Sequence, residues 1–308
     1  AAAISSNRAN RYRRPRLPRP RAMTFSSLRF AFRSLARRPG TTLIHTGGLA
    51  VGIACCFLAL LYVQDEKSYD RFHEDAENIV SVSRALQYGD QMVSMIGATQ
   101  AGKEAWRSSV PGVEAVAAAE YGEGIVRQPG DVEGIEVDDA WFADAAFFDV
   151  FSFAMQSGDP KAALSAPYQT ILTESLARSM FGSTDVIGEL VTLERTGGGL
   201  QDSVPLQLTV RGIAADPPKA SSIRFEMLVS GATPIASREG PTPALEGDGP
   251  TYVRFASLAD TANAIAVLEG ADASDDPMAG QETVWRMPSL VDHHFEGYAS
   301  GMTGNPIY

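Results

Sequence analysis

Apolar residues are concentrated in one long run near the start of the chain. Between Gly40 and Gln64 there is no Asp, Glu, Lys or Arg. A helix needs about 20 mostly apolar residues to cross a bilayer core that is about 30 Å thick. The run is long enough, so the pattern predicts a transmembrane helix over residues 41–64.

Two other kinds of segment share part of this pattern. A cleaved signal peptide has a shorter apolar region and ends in small residues, whereas this run ends in large residues up to Val63. In a buried helix of a soluble protein, each glycine costs about 1 kcal/mol relative to alanine. In a membrane, small residues let two helices approach closely. We therefore interpret the run as a span and predict that Gly47, Gly48 and Gly52 pack against other spans.

A second helical pattern precedes the run. Apolar residues recur every three or four positions over residues 23–38, which predicts an amphipathic juxtamembrane helix. Such a helix lies in the membrane interface or docks on a cytoplasmic partner, and the sequence does not separate these roles. Four cations form the predicted cytoplasmic interface with lipid or a partner: Arg29, Arg33, Arg37 and Arg38.

The first 22 residues are rich in Arg and Pro and poor in large apolar residues. A segment of this composition does not bury enough surface to fold. A basic arm of this kind could bind nucleic acid or anionic lipid. We interpret residues 1–22 instead as a disordered basic leader upstream of a start at Met23, not a native functional part, and we predict no nucleic-acid partner.

Beyond the run, shorter patterns alternate between helical and extended periods. Helices are predicted over residues 66–78, 99–109, 173–180 and 258–268. Strands are predicted over residues 79–86, 170–173, 189–194, 206–214, 222–230 and 252–256. This mixture predicts an α+β fold: one N-terminal transmembrane helix followed by a mixed α/β domain over residues 65–308, with two subdomains.

Charge divides the chain at the same place. Residues 1–64 contain 11 arginines, no lysine and no acid, whereas the rest contains all 37 acids and 15 cations (26 − 11), a balance of −22 (15 − 37). Cationic residues next to a first span stay on the cytoplasmic side. The N-terminus is therefore predicted in the cytoplasm and residues 65–308 on the other side of the membrane.

Candidate chemistry is sparse. The two cysteines, Cys55 and Cys56, lie in the apolar run, so the exterior domain has no internal disulfide and must be held by its core. No phosphate-binding loop or nucleophile elbow occurs. Adjacent His293 and His294 could attract a metal, but we predict no metal, no cofactor and no catalytic residue. Five aromatic residues are predicted to form one core cluster: Phe142, Phe147, Phe148, Phe151 and Phe153.

Four ordered blocks resemble the MacB/FtsX-type permeases of ABC transporters. The first spans residues 27–79 and includes QDEKSYDRFH at 64–73. The others are FFDVFSFAMQSGDPKAAL at 147–164, ILTESLARSMFGSTDVIGELVTL at 171–193 and LTVRGIAADPPKASSIRFEMLVS at 208–230. The later blocks are similar to the macrolide-exporter-like periplasmic core domain of these permeases.

The resemblance implies a permease subunit in the inner membrane of a bacterium. Its periplasmic domain, residues 65–308 here, would lie between its first and second spans. Family members pair as dimers with an ABC ATPase subunit, and ATP-driven motion moves their periplasmic domains to export or release a substrate. Motion would pass from the span through Asp65, Glu66, Tyr69, Asp70 and Phe72. Because the chain stops where a second span is expected, we expect a fragment of such a permease.

Two alternatives remain open at this point. A single-span anchored sensor or binding module would need no ATPase. An anchored hydrolase would need a nucleophile and a base that come together only in space.

Overall fold

The computed structural model describes residues 33, 37, 39–88, 91–196, 204–235, 241–245, 249–275 and 283–291. The chain divides into two compact units, residues 1–63 and residues 64–308. The predicted leader (1–22) lies outside the described residues, as does most of the predicted juxtamembrane helix (23–38). The division of residues 65–308 into two subdomains stays a prediction.

The first long helix, α1 (Pro39–Glu66), contains the predicted 41–64 span. It begins at Pro39, a residue that the first helical position tolerates because its missing N–H would be unpaired there anyway. None of its residues is buried, and its best 18-residue window has a mean hydropathy of 2.1. Among the described residues it is the one helix long and apolar enough to cross a membrane.

Five further α-helices and sixteen strands are described in residues 64–308. The helices are α2 (Gln100–Ser109), α3 (Phe147–Val150), α4 (Pro160–Ser165), α5 (Glu174–Phe181) and α6 (Thr261–Asp275). The first strands are β1 (Ile79–Ser81), β2 (Ser83–Tyr88), β3 (Gln91–Ile96), β4 (Val113–Glu120), β5 (Glu123–Arg127), β6 (Ile135–Val137), β7 (Ala140–Ala143) and β8 (Met155–Gly158). The others are β9 (Gln169–Thr173), β10 (Leu190–Thr196), β11 (Leu206–Ala214), β12 (Met227–Ser230), β13 (Pro234–Ile235), β14 (Thr242–Pro243), β15 (Thr251–Phe255) and β16 (Thr283–Arg286).

A mixed sheet of 11 strands organises this unit, in the order β1-β15-β4-β7-β12-β9-β11-β10-β5-β6, with β8 beside β11. Most neighbours are antiparallel, but β9 pairs with β11 and β7 with β12 in parallel. A separate three-stranded sheet has the order β16-β2-β3. The predicted α+β fold is therefore confirmed.

Successive side chains along the central strands alternate between two buried clusters of the core. In β9 and β12, Ile171 and Leu228 join one buried cluster, whereas Leu172 and Val229 join another. Successive side chains of a strand point to opposite faces, so the two clusters cover the two faces of the sheet. A third cluster packs α2 and α6 against β15 around Trp106.

The prediction that five phenylalanines share one core cluster is correct in part. Phe147, Phe151 and Phe153 share the first buried cluster, and Phe148 packs against it. Phe142 belongs to the second cluster instead, because it lies on β7 and faces the other side of the sheet.

Local helix signals are confirmed by the caps. The side chain of Thr173 accepts a hydrogen bond from the backbone N–H of Leu176 at 3.3 Å, and α5 ends at Gly182 in the left-handed conformation. The side chain of Thr99 caps α2 in the same way, accepting from Gly102 at 3.1 Å. These side chains satisfy backbone donors that the first turn of a helix leaves unpaired.

Two predicted elements are wrong, and the two errors share a cause. The predicted 66–78 helix ends at Glu66, and a 3-10 turn follows only at Ala76–Asn78. The predicted 222–230 strand begins only at Met227. The two irregular stretches bond to each other instead: the backbone N–H of Ser222 donates to the carboxylate of Asp70 at 2.8 Å. A long-range contact thus replaces local structure in both.

Gly158 offers a test of the sheet's packing. It has a φ of +86°, and an added Cβ would overlap the backbone of Arg211 on β11. Gly130 has a φ of +96°, but an added Cβ there would meet no atom within 4 Å. We expect Gly158→Ala to cost at least about 2 kcal/mol more than Gly130→Ala, because both pay the left-handed strain but only the first also overpacks. Urea unfolding of the full chain in detergent measures the difference, and equal losses would contradict it.

Candidate functional site

Residues 65–78, which comprise the last two residues of α1 and the stretch that follows it up to β1, are called the link segment. It contains all five residues predicted to connect span and domain. Asp65 is exposed, and its carbonyl oxygen accepts from the N–H and the hydroxyl of Ser68 at 2.9 and 2.6 Å. Glu66 and Tyr69 are half-buried. Phe72 is also half-buried and packs against the first core cluster, so the segment enters the domain rather than following its surface.

Asp70 is the deepest of these five residues, with none of its surface exposed. Its carboxylate accepts a hydrogen bond from the backbone N–H of Ser222 at 2.8 Å. The hydroxyl of Ser221 lies 3.3 Å from the carboxylate and shares its single proton with the nearer carbonyl oxygen of Ile223, at 2.8 Å. The backbone of Asp70 is left-handed, with a φ of 58°, a conformation that Asp adopts more readily than most residues because its short side chain bonds locally. Asp70 therefore fixes both the direction and the depth of the link segment.

His73 forms a second attachment that the sequence did not assign. Its Nδ1 accepts a hydrogen bond from the N–H of Ser152 at 3.0 Å, and the hydroxyl of Ser152 accepts from the N–H of Glu74 at 2.9 Å. Ser152 lies between α3 and β8, so the link segment is bonded to two separate loops of the domain. The signal available in the sequence was the position of His73 at the end of the quoted 64–73 block.

Aromatic rings surround the imidazole of His73. Its centroid lies 4.0 Å from that of Phe72, 4.9 Å from Phe153 and 5.4 Å from Phe151. Phe147 and Phe225 extend this group around Phe153, at 5.9 and 5.0 Å. These five phenylalanines are called the aromatic cluster below.

The electrostatics of the site follow from burial. Burial lowers the pKa of His73 from 6.5 to about 4, so the ring is neutral near pH 7. On β15, burial raises the pKa of Tyr252, and the negative charge of Asp70 raises it further. The site therefore holds a neutral imidazole and a neutral phenol near the buried side chain of Asp70.

A small cavity of about 270 Å³ lies at the end of the link segment. Arg71 and Glu77 face each other across 3.6 Å at its exposed side. Its full lining is Arg71, His73, Asp75, Ala76, Glu77, Asn78 and Val291. Its size suits water better than a drug-sized ligand, whose pockets begin at about 300 Å³.

The other predicted site residues are not brought together with the link segment. Gly47, Gly48 and Gly52 lie on α1, where an added Cβ would meet no atom within 4 Å. This open surface leaves their packing against other spans a prediction. Arg33 and Arg37 are exposed. Arg29 and Arg38 lie outside the described residues, as do His293, His294 and the glycine-rich stretch 197–199.

Within the described ranges, no group of three or more His, Cys, Asp or Glu side chains is arranged to hold a metal ion. The predicted absence of a metal, a cofactor and catalytic residues stays a prediction.

The family model described as the MacB-like periplasmic core domain matches residues 42–271. The chain belongs to this family. The match begins inside α1 and includes the whole link segment and the central sheet. A comparison with curated proteins found no match.

Three solved structures are similar to this chain, and the first of them supports the fold. A domain of a protein described as a permease from Porphyromonas gingivalis is 22% identical, with a TM-score of 0.54, over 71% of this chain and 92% of that one. The periplasmic region of MacB from Actinobacillus actinomycetemcomitans is 13% identical, with a TM-score of 0.49, over 74% and 95%. The extracellular domain of the noncanonic ABC-type transporter YknZ from Gram-positive bacteria is 16% identical, with a TM-score of 0.45, over 68% and 99%.

The family and the apolar helix together indicate where the MacB-like domain of this chain lies relative to the membrane. An apolar helix of spanning length precedes a domain whose family is periplasmic. The chain is thus a membrane-anchored protein with an extracytoplasmic domain, and it carries the periplasmic core domain of ABC transporter permeases.

Proposed function

We propose that this chain is part of a permease subunit of an ABC transporter, and that its link segment passes motion between the span and the periplasmic domain. A cytoplasmic ABC ATPase would drive this motion to export or release a substrate. The single observation that carries the proposal is the double attachment of the link segment. Asp70 and His73 bond it to two loops more than 65 residues apart in the chain, at Ser152 and Ser221–Ser222.

A segment attached in this way is suited to transmit force. Its N–H and carboxylate groups bond into the domain, and Phe72 packs against the core, so displacement of residues 70–74 has to displace the loops that hold them. A freely jointed linker would instead absorb displacement in its own backbone. The family supports the same role, because its model covers the span end, the link segment and the domain together.

The proposal includes an orientation and partners. The cationic segment before α1 favours a cytoplasmic N-terminus in the inner membrane, with Arg29, Arg33, Arg37 and Arg38 at the lipid surface or against the ATPase. Gly47, Gly48 and Gly52 would pack against other spans of the same permease or of a second copy. The permeases would work as a homodimer or pseudo-dimer.

Coupling is tested with the full chain and a candidate ABC ATPase, co-purified in lipid nanodiscs. ATP is expected to change amide hydrogen exchange in the periplasmic domain of the wild type. We expect Asp70→Ala to weaken this response, because the link segment loses an attachment. Asp75→Ala is the matched control: Asp75 also has a left-handed backbone, with a φ of 53°, but its side chain is exposed.

Two outcomes would contradict the proposal. If ATP leaves the wild-type domain unchanged, or if no ATPase forms a complex with the chain, the single-span anchored binding module is favoured. If the two aspartate variants respond alike, the domain moves without help from the attachment at Asp70.

A further inference from the structure

The ring nitrogens of His73 have different surroundings. Nδ1 accepts a hydrogen bond from the N–H of Ser152 at 3.0 Å. A neutral imidazole carries one proton, so this bond places the proton on Nε2. Within the described part of the chain, Nε2 has no hydrogen-bond partner. One hydrogen bond to the loop between α3 and β8 thus depends on the ring being neutral.

Protonation of this ring removes that bond. The second proton has to go to Nδ1, where the N–H of Ser152 already points, and two donors then face each other. The ring is 4% exposed, so water does not replace the lost acceptor. The faces of Phe72 and Phe153 return only part of the hydration that a cation loses on burial.

The charged groups near His73 do not offset the free-energy cost of protonating its buried ring. Around the ring, the loop that carries Ser152 contributes only uncharged side chains at residues 151–153. The charged and titratable groups nearby are Asp70, Arg71, Glu74, Asp75 and Glu77 on the link segment and Tyr252 on β15. The cause that lowers the pKa of His73 is burial.

We propose that the link segment is a proton-controlled attachment, in which protonation of His73 breaks its bond to Ser152 and releases residues 70–74 from the domain. This inference rests on the proposed function, because release matters only if the link segment transmits motion. An extracytoplasmic domain meets the pH of its surroundings, so acid would uncouple the domain from the span.

The direction of the pH dependence follows from the two pKa values of His73. The attached state has a pKa of about 4, and the released state has the ordinary value of 6.5. Between these values the released state binds more protons, so attachment is complete above pH 6.5 and weakens as the pH falls towards 4. From pH 7 to pH 4.5 the released population is expected to rise roughly fiftyfold.

The test is amide hydrogen exchange of the full chain in nanodiscs at pH 7 and pH 4.5. Protection factors are compared, because they remove the intrinsic pH dependence of exchange. The amides of Asp70 and Glu74 report attachment, since they donate hydrogen bonds to the carbonyl oxygen of Ala220 and the hydroxyl of Ser152. In the wild type their protection is expected to fall roughly fiftyfold in acid.

His73→Asn is the decisive variant. Its side-chain oxygen replaces Nδ1 as an acceptor and takes up no proton, so protection is expected to stay nearly constant with pH. His293→Asn makes the same change at another histidine and is expected to keep the wild-type response. If the reporting amides lose equal protection in His73→Asn and in the wild type between pH 7 and pH 4.5, the inference is overturned.

A second measurement covers the case in which His73→Asn does not fold. In the wild type labelled with ¹⁵N in its histidine rings, His73 is expected to carry its proton on Nε2 at pH 7 and to titrate near pH 4. A midpoint near 6.5, or a proton on Nδ1 at pH 7, would overturn the inference. Neither measurement uses ATP, so a failure here is distinguishable from a failure of the coupling function.

Discussion

Replacing Asp70 with alanine is expected to make the link segment open roughly 100-fold more often, a loss of about 3 kcal/mol in the free energy of opening. The carboxylate accepts from the backbone N–H of Ser222 at 2.8 Å inside the domain. A hydrogen bond to a charged group contributes about 1.5–3 kcal/mol, and a buried donor left without its acceptor adds a desolvation cost. Alanine also fits the left-handed backbone less well than aspartate. Native-state hydrogen exchange of residues 70–74 measures the change.

Asp75→Ala separates the contribution of the buried carboxylate from that of the left-handed backbone. Asp75 has nearly the same backbone conformation, with a φ of 53° against 58°, but its side chain makes no capping hydrogen bond to the 3-10 turn. We expect a loss of at most about 1 kcal/mol there, which is the backbone contribution alone. If Asp75→Ala opens the link segment as much as Asp70→Ala does, the buried carboxylate is not what holds it.

Asp70→Asn tests whether the negative charge matters. Asparagine tolerates the left-handed backbone and keeps one oxygen as an acceptor for Ser222. It loses the charge that raises the pKa of Tyr252. A loss between those of the two alanine variants is expected, because hydrogen bonds to a charged acceptor are stronger than those to a neutral one.

The elements that the sequence predicted well are those whose signals are local. The 206–214 strand was predicted from alternation and is confirmed as Leu206–Ala214, because one face of β11 is buried and the pattern reports this directly. Thr173 and Gly182 bound α5 as expected, since a cap depends only on residues within one turn. The helix α1 was predicted from the length and composition of its own apolar run, without information from any other part of the chain.

The candidate site was predicted only in outline, because its partners are distant in the chain. Asp70 was assigned to the link from its position after the span, but its bonding partner Ser222 lies 152 residues away. His73 becomes a buried acceptor only because Ser152 and two phenylalanines, 78 to 80 residues further on, surround it. The same long-range bonds explain why helix periodicity failed over residues 66–78. Local propensity is a weak prior that such contacts override.

The largest stability loss is expected for Phe147→Ala. The ring has no exposed surface, and its centroid lies 4.8 Å from that of Phe151 and 5.4 Å from that of Phe148. Removing a buried phenylalanine side chain costs about 3–5 kcal/mol, because the lost burial and the cavity left behind add together. We expect about 4 kcal/mol, or roughly a 12 °C fall in the melting temperature of a domain of this size.

Phe148→Ala is the matched control in the next position. Phe148 is half-buried and packs on the edge of the same cluster, so its replacement opens less of a cavity. A loss of at most about 2 kcal/mol is expected there. Calorimetry of the full chain in nanodiscs compares the two variants. Equal melting temperatures would show that the buried ring of Phe147 does not stabilise the domain more than the half-buried ring of Phe148.

Phe147→Ala also bears on the link segment. Phe151 and Phe153 contact Phe147 on one side and His73 on the other, so a cavity at Phe147 loosens the rings that enclose the imidazole. Water that enters there would solvate a charged ring, and the pKa of His73 would rise from about 4 towards 6.5. The gap between the attached and released pKa values of His73 then shrinks, so the variant is expected to lose less protection between pH 7 and pH 4.5 than the wild type, whereas Phe148→Ala is expected to keep the wild-type loss.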